Sequence, residues 1–337
     1  MASFYQTILI TCPGNAMTAG PEAIHQLASD LIRLGHNAAV AYFPFSEKFE
    51  TPEPYKKYGV PIARYRDIQG ELIIFPEIVT TYGLKVKHAQ AAIWWMSVNN
   101  YTCIRYGYPW RDKLRYFKNV AKGLRPLRGI KSLSKMKHFA QSYYAMDFLK
   151  SNGISSLLLS DPIPLYTSKQ YLSELSQKLK AAIRSNTILY NPHKGKKVIQ
   201  SLILHFPDFH FFPLAGFNRE QLATKFLESK LYIDFGHHPG KDRLPREAAI
   251  HGCCVITGLY GSAGNALDVN IPPAYKIDSR LPDFFTLFEI QVNLIFNHFE
   301  KCSLEFVDYR NTIAQEQIEF DRQIEHAFAT QPGNKGY

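Results

Sequence analysis

Charged side chains and glycines are concentrated in one stretch of the second half of the chain, which reads GHHPGKDRLPRE. Lys241 and Arg243 carry the fixed positive charge that pairs with phosphate groups. Glu247 supplies carboxylate oxygens that can accept hydrogen bonds from a ligand's hydroxyl groups, and His237 and His238 lie between two glycines. A solvated loop is the simpler alternative, but so many histidines, glycines and charges in one loop favour a binding function.

Two further glycine-containing segments of the second half could contribute to a phosphate site. The backbone amides of Gly261, Ser262 and Ala263 could cradle phosphate oxygens. Lys194 and Gly195 lie in the turn YNPHKGKK, where the lysine could place a cation beside an anionic group. A lysine-rich surface turn is the alternative for this segment.

The first half offers mostly neutral candidates, in the segment AAIWWMSVNNYT. Trp95, Ser97, Asn99 and Asn100 would face a ligand-binding cleft if the strand ends at the tryptophans, although asparagine cannot act as a general base. Core packing is the alternative for the tryptophans. Gly14, in the loop after the first apolar segment, would let the backbone approach a ligand closely.

Other kinds of catalytic site have weaker support. His25 is the nominee for a general base, with a structural role as the alternative. No constellation with metal-ligand spacing is recognised, and the five cysteines form no C-x-x-C pair, so we expect neither a metal nor a disulfide framework. The absence of G-x-G-x-x-G disfavours a dinucleotide cofactor.

These residues lie between apolar and amphipathic segments that alternate along the chain, as in parallel sheets flanked by helices. The predicted strands are 7–11, 38–43, 71–75, 91–95, 137–143 and 156–160 in the first half, and 187–190, 209–214, 231–235 and 253–257 in the second. The predicted helices are 21–34, 166–185, 196–204, 218–229, 245–251, 284–299 and 309–328. Ligands bind at the carboxyl ends of such strands, where the glycine-containing loops follow.

The chain has 337 residues, enough for two domains. We expect an N-terminal Rossmann-like domain at 1–180, a C-terminal one at 181–305, and a C-terminal helix at 306–337 that crosses back to the first domain. With no signal peptide and no spanning helix recognised, we expect a cytoplasmic protein that can associate with the inner face of the membrane.

The net charge of +10 is uneven, because residues 105–137 carry eleven lysines and arginines against the single acid Asp112. Aromatic residues alternate with these cations. The segment could bind an anionic membrane surface, a lipid-diphosphate or an acidic sugar. A solvated loop and helix is the alternative, and no nucleic-acid-binding module is recognised, so no nucleic acid is expected.

The chain resembles glycosyltransferases of family 4 and related bacterial surface-polysaccharide enzymes. Leu31, Gly35 and His36 match the family's Leu-x-x-x-Gly-His ending of the first helix. Lys194 with Gly195 matches its Lys-Gly, and the segment from Leu-Pro through Glu247 to the glycine-rich loop matches its donor-binding segment.

This resemblance implies the α/β GT-B fold, with two Rossmann-like domains facing each other across a cleft. The first would bind a glycan or lipid-linked acceptor, and the second a nucleotide-sugar donor, without a metal. The expected acceptor-binding residues are Trp95, Ser97, Asn99 and Asn100. The expected catalytic residues are Lys194, Glu247 and His25. Donor binding falls to Gly14, Asn191, Lys194, Gly195, His237, His238, Lys241, Arg243, Glu247, Gly261, Ser262 and Ala263.

The chain departs from the family at two positions. Pro239 stands where the family has a glutamate eight residues before the second one, and Leu189 stands where it has an arginine. These departures leave open whether the anomeric configuration is retained or inverted. They also leave two alternatives to a hexosyltransferase-like enzyme: a nucleotide-sugar 2-epimerase of the same architecture, or a non-catalytic protein that binds sugar nucleotides or glycans.

Overall fold

A computed structural model describes residues 5–104, 109–163 and 168–329. The chain divides into two compact units, a first unit of Met1–Asp161 with Ile318–Tyr337, and a second unit of Pro162–Gln317. These bounds differ from the predicted ones at 180 and 305. Residues 168–180 belong to the second unit, because Leu175 packs in that unit's core.

The first unit is built on six parallel strands. They are β1 (Thr7–Pro13), β2 (Ala38–Phe43), β3 (Glu71–Pro76), β4 (Gln90–Trp95), β5 (Lys137–Ala140) and β6 (Leu157–Leu158), in the order β2-β1-β3-β4-β5-β6. Ile8 and Ile10 lie in the core on one face of the sheet, and Leu9 lies in the core on the other. Strands buried on both faces are typical of parallel sheets. All six predicted strands are present, but the prediction of 137–143 is too long, because that strand ends at Ala140 and a helix begins at Tyr143.

Helices of the first unit are α1 (Ala19–Arg33), α2 (Thr80–Leu84), α3 (Val98–Thr102), α4 (Pro109–Ala121) and α5 (Tyr143–Ser151). Short 3₁₀ turns lie at Glu53–Tyr58, Glu77–Val79 and Ile130–Leu133. The first helix begins two residues before Pro21, and Gly35 follows it with a φ of +88°. A left-handed residue after a helix end is a position that favours glycine.

The second unit is built on four parallel strands, β7 (Ser185–Tyr190), β8 (His210–Pro213), β9 (Ser229–Asp234) and β10 (Cys254–Thr257), in the order β10-β9-β7-β8. Its helices are α6 (Lys169–Ala181), α7 (Lys196–His205), α8 (Arg219–Glu228), α9 (Arg243–Ile250), α10 (Phe284–Asn297), α11 (Phe299–Leu304) and α12 (Val307–Ala314). Short 3₁₀ turns lie at Ser262–Gly264 and Pro273–Tyr275. The four predicted strands are confirmed. The predicted helix 284–299 is interrupted at His298, where φ and ψ are −132° and 41°.

The last helix, α13 (Glu316–Phe328), packs mainly in the first unit. Phe320, Ile324 and Phe328 are buried in the core beside the first sheet. Gln323 accepts a hydrogen bond from the amide of Ser160 at 2.8 Å. The apolar residues recur at four-residue spacing, so one face of the helix is buried. Within the described ranges, no helix is both long and apolar enough to cross a membrane.

Candidate functional site

Three loops follow the carboxyl ends of strands in the second unit: loop A (191–195) after β7, loop B (235–242) after β9, and loop C (258–264) after β10. Gly195 has a φ of +59°, and a Cβ added there would lie 2.8 Å from the carbonyl carbon of Phe235. Gly261 has a φ of +68°, and its added Cβ would collide with the carbonyl oxygen of His238. The glycines therefore allow loops A and C to pack against loop B.

Hydrogen bonds join loops B and C. The amide of Ser262 donates to the carbonyl of His238 at 2.9 Å, and the Ser262 hydroxyl donates to the carbonyl of Gly240 at 2.5 Å. Both donors of Ser262 are thus used inside the protein, and Ala263 is fully buried. This corrects the expectation that the Ser262 amide is open to phosphate, because that amide already stabilises the loop pair.

Lys194 of loop A forms an ion pair with loop B. Its Nζ lies 2.5 Å from Asp242 Oδ2, and the two side chains are 30% and 20% exposed. A Cβ added to Gly236 would lie 2.6 Å from the Lys194 Cβ, so the absence of a side chain there makes room for the lysine stem. Lys194 is therefore held in place while its ammonium stays accessible to solvent.

His238 lies fully buried between two carboxylates of the same segment. Its Nε2 is 3.3 Å from Asp234 Oδ1, and its Nδ1 is 3.6 Å from Asp242 Oδ2. Burial alone would lower the pKa of His238, but the charges of Asp234 and Asp242 outweigh burial and raise it. Burial would raise the pKa of Asp234, yet His238, Lys194 and the amide of Gly236 lower it to about 2. The network therefore balances two carboxylates against two cations.

The same carboxylates form the one group of possible metal ligands found among the described residues. Ligand atoms of Asp234, His238 and Asp242 lie within 4.8 Å of one another. Their D-x₃-H-x₃-D spacing is visible in the sequence and was not recognised there. Lys194 pairs with Asp242 and both nitrogens of His238 face carboxylates, so a divalent cation would have to displace Lys194 and the imidazole proton.

A buried ion-pair network fixes the end of loop B. Arg246 is 1% exposed, and its Nη1 lies 2.7 Å from Glu316 Oε2. Its other nitrogens donate to the carbonyls of Lys241 and Asp242, each at 3.1 Å. Lys241 Nζ lies 2.9 Å from Glu316 Oε1. Lys241, predicted to pair with a diphosphate, thus shares the buried Glu316 with Arg246, and sequence reasoning missed Glu316.

The remaining second-unit candidates lie around the same loops. Helix α9 begins at Arg243, two residues earlier than predicted, so Glu247 lies in the second turn and is buried. Burial, together with the charges of His238 and Lys194, lowers the pKa of His237 to about 4, so its ring is neutral at neutral pH. Asn191 accepts a hydrogen bond from the amide of His193 at 2.9 Å and shapes loop A.

Three first-unit candidates have structural roles, which corrects their predicted ones. His25 is buried, with Nδ1 2.7 Å from the Pro21 carbonyl and Nε2 2.7 Å from the Tyr42 hydroxyl. Both nitrogens are engaged, so neither can take a proton from an acceptor. Trp95 is fully buried and donates to His138 at 3.0 Å. A Cβ on Gly14 would collide with the Phe49 ring, so that glycine permits packing.

Ser97, Asn99 and Asn100 gather at the carboxyl edge of the first sheet. Ser97 caps α3 by accepting from the Asn100 amide at 3.2 Å. Asn99 donates to the carbonyl of Ile104 at 3.1 Å, and Asn100 is exposed. Glu77, missed by the sequence reasoning, directly follows β3 and accepts from the Met96 amide and the Asn100 side chain, each at 3.2 Å. A carboxylate directly after a buried strand was the available signal.

The basic segment 105–137 is only partly a surface. Residues 105–108 lie outside the described residues. Arg125 is buried and donates to the carbonyls of Tyr101, Asn100 and Ile78. It therefore stabilises the fold and does not contribute to the positive charge of the surface. Lys137 donates to the carbonyl of Ala327 at 2.7 Å. Helix α4, in contrast, exposes both cations and apolar side chains.

Comparison with known proteins identifies the fold. No family profile and no curated protein matches the chain in sequence. Among solved structures, Anabaena HepE in complex with UDP and glucose matches with a TM-score of 0.63 and 12% identity, over 97% of this chain and 100% of that one. WaaG, a glycosyltransferase involved in lipopolysaccharide biosynthesis, matches with a TM-score of 0.57 and 13% identity, over 97% and 100%.

A plant enzyme has the same fold. The catalytic domain of starch synthase IV from Arabidopsis thaliana, bound to ADP and acarbose, matches with a TM-score of 0.59 and 10% identity, over 98% of this chain and 100% of that one. The chain thus has the α/β fold of the GT-B glycosyltransferases, with one six-stranded and one four-stranded parallel sheet, and the predicted fold class is confirmed.

Proposed function

We propose that the chain is a glycosyltransferase that moves a sugar from a nucleotide-sugar donor to a glycan or lipid-linked acceptor. The donor would bind at loops A, B and C of the second unit, at the carboxyl ends of parallel strands, where ligands of such folds bind. The single observation that carries this proposal is the arrangement of Lys194, held by Gly236 and Asp242 beside two histidines and two carboxylates.

Lys194 can stabilise the leaving nucleoside diphosphate. Lys194 directly precedes Gly195, which is the N-cap of the ten-residue helix α7. The first amide groups of such a helix have no partner within the helix and are available to an anion. Asp242 is the counter-ion that Lys194 exchanges for a phosphate oxygen when the donor binds. A preformed cation at the site of developing charge lowers the barrier to departure of the nucleotide.

Other second-unit residues would hold the rest of the donor. We assign the ribose hydroxyls to Glu247, and phosphate contacts to Arg243, the first residue of α9, and to the backbone of Gly261. Asn191, His237 and His238 shape the same pocket through loops A and B. The ligands bound in the matching structures, which include UDP, UDP-glucose and ADP, support a nucleotide at this site.

The acceptor would bind at the carboxyl edge of the first sheet. Ser97, Asn99 and Asn100 present hydroxyl and amide groups there, and these suit the hydroxyls of a sugar. Assembly of a surface polysaccharide or lipopolysaccharide is the proposed pathway, supported by the match to WaaG and by the resemblance in the donor segment.

Helix α4 is the proposed membrane-binding element. Trp110, Leu114 and Phe117 are 57%, 58% and 62% exposed, and their spacing places them on one side of the helix. Exposed cations on the same helix include Arg111 and Lys113. An amphipathic helix can bury its apolar side in the interface of an anionic membrane while the flanking cations bind the lipid headgroups. We therefore propose a cytoplasmic, peripheral enzyme that binds a lipid-linked acceptor at that interface.

The proposal is tested by incubating the protein with UDP-, GDP-, ADP-, CMP- and dTDP-sugars, with and without bacterial lipid extract, and measuring nucleotide release. We expect one donor to be consumed, faster with acceptor, and Lys194→Ala to reduce the rate at least tenfold. Lys225→Ala, which removes an ion-paired lysine from α8 of the same unit, should leave the rate unchanged. Turnover of a donor to its epimer, or binding without turnover, would contradict the proposal.

A further inference from the structure

A cavity of about 1120 Å³ opens on the opposite side of the second unit from loops A, B and C. Arg184 directly precedes β7, Lys230 is the second residue of β9, and Gly252 lies two residues before β10. All three line the cavity, so it lies at the amino ends of these parallel strands. Since the proposed donor loops follow the carboxyl ends, the cavity is a separate site.

The cavity has an uncompensated positive charge. Among the described residues, its lining includes Lys180, Arg184, Lys230, Lys301 and Arg310, and the one carboxylate is that of Glu300. Within the described part of the chain, no ion pair joins any of these five cations to a carboxylate. Cations near one another that lack a counter-ion create a positive potential in a concave, partly desolvated space, and this potential concentrates anions.

Backbone contacts hold the inner cations of the cavity in place. The Arg184 guanidinium donates to the carbonyls of Phe226, Ser229 and His251 at 2.9, 2.7 and 2.5 Å. A Cβ added to Gly252 would lie 2.5 Å from Arg184 Nη2, so the glycine makes room for this guanidinium. Carbonyl acceptors orient a cation without neutralising it, so the charge of Arg184 remains available to a ligand.

Lys230 and Arg310 extend the same pattern. Lys230 donates to the side chain of Asn186 and the carbonyl of Phe296, at 2.7 and 2.9 Å. Arg310 donates to the Ser303 carbonyl at 2.7 Å, while its Nη1 is buried without a hydrogen-bond partner. Burial, with the charge of Arg184 acting in the same direction, lowers the pKa of Arg310. Burying a guanidinium nitrogen without a hydrogen-bond partner, beside other positive charges, costs folding free energy unless an anion accepts its hydrogen bonds.

We propose that this basic cavity binds a small molecule that carries phosphate groups. Arg184, Lys230 and Arg310 form the recessed part of the site, and the exposed Lys180 and Lys301 close around the ligand from the rim. Guanidinium groups recognise phosphate oxygens through paired hydrogen bonds, and the ammonium groups add charge. The cavity is somewhat larger than the roughly 300–1,000 Å³ of ordinary small-molecule sites, so a ligand with more than one phosphate fits.

The test is hydrogen–deuterium exchange of the full chain with inorganic pyrophosphate, at constant ionic strength set with chloride. We expect slower exchange in peptides that cover 176–184 and 297–310. The double variant Lys180→Glu/Lys301→Glu should raise the half-saturating pyrophosphate concentration for this protection at least tenfold. Both side chains are exposed and form no ion pair with any described residue, so the variant should fold like the wild type.

Lys135→Glu/Lys169→Glu is the matched control, because it changes the net charge equally at exposed sites outside the cavity. It should leave the protection unchanged, and protection of 191–197 should be unaffected by either double variant. Absence of protection at 176–184 and 297–310, or equal protection in both double variants, would overturn the proposal. Protection by phosphatidylglycerol vesicles but not by pyrophosphate would also overturn it, since the ligand would then be a lipid surface.

Discussion

The carboxyl edges of the two sheets differ in the charges of the side chains that lie there. In the second unit, Lys194, His238, Asp234 and Asp242 form a network in which each carboxylate faces a cation. In the first unit, the corresponding edge carries amides and hydroxyls, with Glu77 buried among them. The first edge therefore suits an uncharged hydroxyl ligand, and the second suits a charged one.

The two edges shift the pKa of a buried carboxyl in opposite directions. Burial raises the pKa of Glu77 to about 7, and the hydrogen bonds from Asn100 and Met96 and the charge of Arg125 only partly oppose this. Asp234 is equally buried, but its neighbouring cations hold its pKa at about 2. The difference shows that the second unit is preorganised around ionic charge, whereas the first unit accepts a carboxyl that is neutral at mildly acidic pH.

The largest expected effect comes from the buried pair that supports loop B. Arg246→Ala removes one of the two cations that pair with the buried Glu316 and leaves Lys241 as the other, so we expect a loss of about 3–5 kcal/mol of unfolding free energy. Urea denaturation followed by fluorescence measures it. The control Arg33→Ala removes a half-exposed pair with Asp321 in the first unit and should cost about 1 kcal/mol or less. Equal costs would remove the contrast between the units.

Glu77 should give the first unit a pH dependence that the glutamine variant lacks. Its folded pKa of about 7 exceeds the ordinary 4.5, so its contribution to stability is complete below pH 4.5 and is lost as the pH rises through 7. A pKa rise of this size corresponds to roughly 3 kcal/mol. Thermal melts between pH 5 and pH 8 should show this loss in the wild type and not in Glu77→Gln. The control Glu53→Gln, at an exposed position, should behave like the wild type.

If Glu77→Gln and the wild type melt with the same pH dependence, Glu77 is charged throughout this range. The first edge would then be ionic like the second, and the comparison would fail.

A smaller, local effect is expected at His238. Asp242→Asn removes one of the two carboxylate charges that raise the pKa of His238, so that pKa should fall. An NMR titration of the imidazole carbons, with His238→Gln to identify the resonance, measures it. Asp208→Asn, at an exposed position of the same unit, should leave the resonance unchanged. An unchanged pKa in Asp242→Asn would show that Asp242 does not take part in the charge network.

The sheets could be predicted from the sequence because segments such as 7–11 and 253–257 are apolar on both faces and bounded by turn residues. Lys194 with Gly195 was nominated from the family's Lys-Gly pattern before a helix, and Gly195 is the N-cap of α7. Contacts across long sequence separations could not be found in this way. The pair Arg246–Glu316 spans 70 residues, and His25 was misread because its partner Tyr42 lies on another element.

Calorimetric titration with UDP, GDP, ADP, CDP and dTDP measures whether Lys194 belongs to a nucleotide site. Wild type, Lys194→Ala and the control Lys225→Ala are compared at one ionic strength. We expect one nucleoside diphosphate to bind the wild type and Lys225→Ala equally and to bind Lys194→Ala at least tenfold more weakly. Binding that is unaffected by Lys194→Ala, or no binding of any nucleoside diphosphate, would contradict it.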